Sequence, residues 1–150
     1  MSNEELEIRI NSVIEEYDTL RENFREFSTI GEDSREALLE YQRRFIELKA
    51  DLRPIHKFVA SMYEKRNDKA STAIKYRIAK SIMDGVFEDE DKVKYEKCAM
   101  SQAEKLAAGS KVYKTFLKQR ALYRESFVNI NDIREDVTNY ITLIRDTLNK

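Results

Sequence analysis

At 150 residues, with 37% charged and 41% hydrophobic side chains, the chain is about one domain long and carries enough apolar material for a core. Three glycines and one proline are too few for the turns of a sheet protein, so the composition points to long helices, and eight Tyr with seven Phe argue against disorder. One cysteine (Cys98) excludes an intrachain disulfide, one histidine (His56) leaves no zinc or catalytic cluster to build, and no apolar run approaches the ~20 residues of a membrane span.

The first element in the chain is a helix over residues 3–29. Ser2-Asn3-Glu4-Glu5 supplies a polar cap and acids for its first turn. Leu6, Ile10, Val13, Tyr17, Leu20, Phe24 and Phe27 then alternate at spacings of four and three, as in a bundle helix or a higher-order seam. Gly31 ends this helix, and Asp33-Ser34 with Glu36 caps the next. The second helical segment is expected over 34–83. Its heptad line is Leu38, Tyr41, Phe45, Leu48, Leu52, Ile55, Val59 and Met62, with a kink or break near Leu52–Pro54.

Its second half, Lys65 to Lys80, holds six basic residues against one acid. Continuing the heptad count places Arg66, Lys69, Ala73, Tyr76 and Lys80 in the seam, while Ala70, Ile74, Ile78 and Ile82 run beside it at i,i+4 spacing. Such a helix can bury one edge and present cations and a tyrosine on the other. Two readings fit it: a polyanion-binding helix, or a solvated charged face.

Residues 84–91 carry five acids, no base and Gly85, and read as a loop. A third helix is expected from Asp91 to Ala108, with Tyr95, Cys98, Ala99, Gln102 and Leu106 on one face and alanines permitting close approach. A fourth runs from Lys111 to Asn149. Its seam is Tyr123, Phe127, Ile130, Val137, Ile141, Ile144 and Leu148, with Arg134 filling one slot. Its first third sets Lys111, Lys114, Lys118, Arg120 and Arg124 among Tyr113, Phe116 and Tyr123, a second basic-aromatic patch. Helices of ~40 residues span roughly 60 Å, and a lone chain is not expected to cover seams that long, so self-association is expected.

The net charge of −1 conceals strong blocks: residues 1–53 carry −6, residues 54–83 carry +5, and residues 92–125 carry +6. Such segregation suits a chain that meets a polyanion through its middle and other protein through its ends. No phosphate-binding glycine loop, Ser/His/Asp set or Cys/His pair is present, and Glu88–Asp91 lacks the ligand spacing of a calcium loop. The chain does not read as an enzyme and calls for no cofactor or metal. No signal peptide or membrane span is read, so a soluble, intracellular protein is expected.

Ile74-Lys75-Tyr76-Arg77, followed by Tyr95-Glu96-Lys97 with Met100 three residues on, resembles the UvsY family, the recombination mediator proteins of T-even-type bacteriophages. The first element is similar to the aliphatic-Lys-x-Arg run of that family's DNA-binding helix, the second to its Tyr-Glu-Lys-x-x-Met run, at matching separation. Asp146, after an apolar-rich C-terminal helix, is a further fit. The resemblance covers about half the chain well and 33–73 loosely. The acidic helix 3–29 looks like an addition, Tyr76 stands where the family has a small residue, and there is no tryptophan.

The resemblance implies an all-α, ring-forming homo-oligomer, a hexamer or heptamer, in the cytoplasm of an infected bacterial cell. It would bind single-stranded DNA and help a recombinase displace a single-strand-binding protein. On that basis the chain divides into an acidic N-terminal helix (3–29), a DNA-binding region (34–108) and a C-terminal assembly helix (111–149) of one domain. Lys75 and Arg77 would contact phosphates and Tyr76 would stack on a base, with Arg66, Lys69 and Lys80 as flanking charge. Lys75 and Arg77 lie roughly 200° apart around an ideal helix, so one straight strand cannot meet both. The rival readings are a helical scaffold or adaptor whose charge blocks pair subunits, and a phage-encoded inhibitor acting through its acidic N-terminal helix.

Overall fold

The computed structural model describes residues 2–30 and 34–150, the side chains of 29 and 30 excepted; Gly31 and Asp33 lie outside the described residues. The elements are α1 (Asn3–Ile30), α2 (Arg35–Glu64), α3 (Asp68–Met83), a 3-10 turn (Glu90–Lys92), α4 (Met100–Gly109) and α5 (Lys111–Leu148). The expected all-α class is thus found: extended pairing among the described residues is confined to one bridge, Glu88 to Lys94. Ser2 and Glu5 cap α1 reciprocally, the Glu5 N–H donating to Ser2 Oγ at 3.1 Å and the Ser2 N–H to Glu5 Oε2 at 3.4 Å. Ser34 Oγ accepts from the Ala37 N–H at the start of α2.

The chain divides into two compact units, residues 1–59 with 126–150, and residues 60–125. The first is a helical core in which the seams meet. Leu6, Val13, Tyr17, Leu20 and Phe24 of α1, Leu38, Phe45, Leu48, Leu52, Ile55 and Val59 of α2, and Ile130, Val137 and Ile144 of α5 are all buried. The bulky seam residues account for one another. Phe24 sets its ring edge-on to Tyr41, Phe45 and Tyr140 at 5.3–5.8 Å, and Phe45 stacks on Tyr140 at 4.9 Å. His56 stacks on Phe127 and donates Nε2–H to Asn131 Oδ1 at 2.7 Å, a packing role.

Much of the long α5 seam is covered within the single chain: Tyr123, Ile130, Val137 and Ile144 are buried, while Phe127, Ile141 and Leu148 stay half-buried. Seam length by itself therefore does not call for self-association. Five side chains of α1 belong to this core.

The Tyr17 hydroxyl donates to Asp136 Oδ2 at 2.8 Å, joining α1 to α5. Burial, then this bond, pushes the phenol up to about 12. Its pKa is raised on folding, so its contribution is complete below pH ~10 and fades as pH rises through the folded value. Tyr17→Phe should cost about 1 kcal/mol in urea unfolding at neutral pH, because exposed Asp136 rehydrates once the bond is gone.

Of the expected kink or break near Leu52–Pro54, the break is absent, and α2 runs unbroken to Glu64. Pro54 removes one backbone bond, while buried Leu52 and Ile55 on either side hold both flanks in the core. The break falls instead at 65–67. Asn67 is extended (φ −69°, ψ −179°) and its Oδ1 accepts from the Ala70 N–H at 2.9 Å, which restarts the chain as α3.

In the second unit α3 packs on α4, with Ile78, Ala79 and Ile82 against Ala103 and Ala107. The third helix starts nine residues later than expected, at Met100 rather than Asp91. Asp91 and Lys92 have positive φ (60° and 61°), and residues 93–99 lie outside any helix, with Val93 and Ala99 extended. Tyr95 and Cys98 still pack on the α3–α4 core, but from a loop, where Tyr95 stacks on Phe87 at 5.7 Å. Gly85 (φ +71°) closes α3 beneath the Lys97 side chain, whose Cε would lie 2.6 Å from an added Cβ.

Candidate nucleic-acid interface

The i,i+4 apolar line of α3 does what its spacing requires. Ile78 and Ile82 are buried with Ala79 and Ser71, Ile74 packs beside them, and the opposite face is left to solvent. On an ideal helix Lys69, Tyr76 and Lys80 fall within about 40° of one another, with Arg77 about 60° beyond Lys80. All four are exposed, Tyr76 at 53%. They form a strip roughly 16 Å long with an aromatic ring among three cations.

The other two sequence-selected residues sit elsewhere. Lys75 is half-buried and lies about 120° around the helix from the centre of that strip. Arg66 is engaged by its own chain: its guanidinium donates to Met62 O at 3.2 Å and Gln119 Oε1 at 3.3 Å, and lies 4.9 Å from the Tyr123 ring centroid. The structure thus brings Lys69, Tyr76, Arg77 and Lys80 together and sets Arg66 and Lys75 apart from them.

Charge pairing separates this face from the second basic-aromatic patch. The ion pairs among the described residues of this unit are Lys111–Asp91 and Arg120–Asp68, and neither includes a cation of the α3 strip. The patch on α5 loses two of its five cations to those pairs. Its aromatics also turn inward: Tyr123 is 1% exposed, Tyr113 shares a hydrogen bond with Ser71 at 2.9 Å, and Phe116 is half-buried. Stacking needs an open ring face, and Tyr76 offers one where Tyr123 does not. The charge blocks follow the two units as well. Residues 60–125 hold 15 Lys/Arg against 10 Asp/Glu, and the remaining chain 12 against 18.

One positioning residue is not apparent from the sequence, where Glu88–Asp91 reads only as an acidic loop. Asp89 is buried, and its carboxylate accepts from the N–H groups of Lys111, Val112 and Glu90 and from the Tyr95 hydroxyl, all at 2.9–3.0 Å. It caps α5 from 22 residues away. The available signal was a helix start at Lys111 with no acid of its own in the first turn.

Burial raises the Asp89 pKa, but the bonds from Lys111, Val112, Tyr95 and Glu90 outweigh it and hold the carboxyl below its ordinary value. A depressed folded pKa stabilises above the unfolded value. This contribution should therefore be intact above pH ~4 and fade as pH falls through the folded pKa. Asp89→Ala should cost about 2–4 kcal/mol, through buried donors left unpaired, and should flatten the acid limb of a stability–pH curve from chemical denaturation.

Among the described residues no group of His, Cys, Asp or Glu is placed to hold a metal ion, and no helix is long and apolar enough to cross a membrane. What the α3 face can do is electrostatic and stacking chemistry: unpaired cations for phosphates and a ring for a base. Compared with family models, curated proteins and solved structures, the chain finds no match, so the character of this face rests on its own geometry.

Proposed function

We propose that the protein binds single-stranded DNA through the outer face of α3 and acts as a recombination mediator, helping a recombinase onto DNA coated by single-strand-binding protein. The observation that carries the binding is the strip of Lys69, Tyr76, Arg77 and Lys80, exposed together, with no acid among the described residues paired to its cations. Single strands supply both halves of the matching chemistry, a phosphate every nucleotide and unstacked bases for the tyrosine. The mediator role and assembly into a six- or seven-membered ring rest on the resemblance of Ile74–Arg77 and Tyr95–Met100 to the UvsY family.

Anisotropy of a labelled single-stranded oligonucleotide, titrated with the protein at ~0.05 and ~0.2 M salt, tests the binding. Affinity that falls steeply with salt supports it. No binding at either salt would return the molecule to the scaffold reading, in which the charge blocks pair protein with protein. Solution mass with and without the oligonucleotide reports the assembly.

A further inference from the structure

Arg134, which the heptad count places between Ile130 and Val137, is half-buried, and Ile133 takes the buried position of that turn. Arg134 does not point to an acid. It lines a pocket of about 420 Å³ with Lys49 of α2 and Asn131, Glu135, Thr138 and Asn139 of α5. The Arg134 Nε is shielded from solvent and has no hydrogen-bond partner. No ion pair among the described residues includes Lys49 or Arg134, although the unit holding them carries 18 acids. Asn131 Oδ1 is taken up by His56 Nε2, which leaves the Asn131 amide N–H groups for the pocket. The Thr138 hydroxyl donates its hydrogen to Arg134 O.

The lining therefore carries two cations, Lys49 and Arg134, against one acid, Glu135. Two cations and two amides on neighbouring turns make an incomplete electrostatic site. The Arg134 Nε has no surface that an anion could reach, so an anion would be held by the terminal guanidinium nitrogens, which make no hydrogen bond among the described residues. A planar carboxylate needs only the arginine fork, whereas convergent Lys, Arg and amide donors match a tetrahedral phosphate. The volume, at the lower end of ligand pockets, leaves room for a small body attached to it.

We propose that this pocket binds a phosphate dianion, free or as a small phosphomonoester. It is separate from the α3 face and does not depend on it.

The test follows the side-chain amide signals of Asn131 and Asn139 by NMR in the full chain. Inorganic phosphate is titrated to ~10 mM at constant ionic strength, with parallel arms of a nucleoside 5′-monophosphate and of acetate. A site with a Kd of ~1 mM would be about nine-tenths filled at that point. The expected result is saturable movement of both amides, with a thermal midpoint raised by about 3 °C. Tighter binding of the nucleotide than of phosphate would identify a phosphomonoester, and equal binding the free ion. Lys49→Met with Arg134→Met, which keeps the aliphatic bulk, should lose the response, while Lys69→Ala with Lys80→Ala should keep it. Unmoved amides, an identical response in the double methionine variant, or acetate binding as tightly as phosphate would overturn the proposal. Should that variant not fold, Arg134→Lys replaces it, with an expected loss of at least tenfold in affinity, and an unchanged affinity counts against the site.

Discussion

Replacing Lys69, Arg77 and Lys80 together by alanine should weaken single-strand binding about 100-fold at ~0.1 M salt. Each cation on a phosphate contributes ~0.7 to the slope of log affinity against log salt, so removing all three should lower the slope by about 2. The three side chains are exposed and lie away from the Ile78–Ala79–Ile82 face, so the α3–α4 core should keep its stability. Lys75→Ala should change the slope less, since Lys75 is half-buried and off the strip. Tyr76→Ala tests another contribution: stacking is worth about 1–3 kcal/mol per base and should leave the salt slope nearly unchanged. An unchanged slope in a folded triple variant would make the α3 strip a solvated face.

Ile144→Asp should unfold the unit built from residues 1–59 and 126–150. Ile144 has zero exposure within the single chain and belongs to its buried hydrophobic core. An unpaired carboxylate there costs on the order of 3–5 kcal/mol, comparable with the whole stability of a small unit. Denaturant unfolding followed by far-UV circular dichroism should show this unit's helical signal lost or its midpoint shifted far down. A variant that stays fully folded but sediments as a smaller species would instead place Ile144 against another copy of the chain.

Much of this architecture is legible because heptad spacing constrains which side chains can be buried together. Leu6 to Phe27, Leu38 to Met62 and Tyr123 to Leu148 read as seams; residues of all three lines are buried, while Phe27, Met62 and Leu148 at their ends are half-buried. What spacing cannot say is which chain supplies the other side of a seam. The aromatic cluster of Phe24, Tyr41, Phe45 and Tyr140 supplies it from within. Breaks are less legible. Pro54 attracts attention because it lacks an N–H, yet a buried heptad on both sides carries the helix through it. Asn67, inside a charged run, ends one helix and caps another through a single side-chain bond.

The candidate site is legible in part, for the same kind of reason. The alternation of Ile74, Ile78 and Ile82 with basic residues defines a two-faced helix, and it is found as such. Arg66 cannot be separated from Lys69 by residue type, because its partners Gln119 and Tyr123 are more than 50 residues away in sequence. The role of Asp89 is hidden for the same reason. Helix caps supplied from a distant loop leave no local pattern, only an absence of acids where the helix begins.

The most direct measurement is photo-crosslinking of the protein to a single-stranded oligonucleotide bearing 5-bromodeoxyuridine, with the attached residue identified by mass spectrometry. Tyr76 is the one aromatic on the α3 strip and is 53% exposed, so the crosslink should fall on it and fade as salt is raised. A crosslink at Tyr113 or Phe116 on α5, or none under conditions where the oligonucleotide is bound, would contradict the assignment of the α3 face.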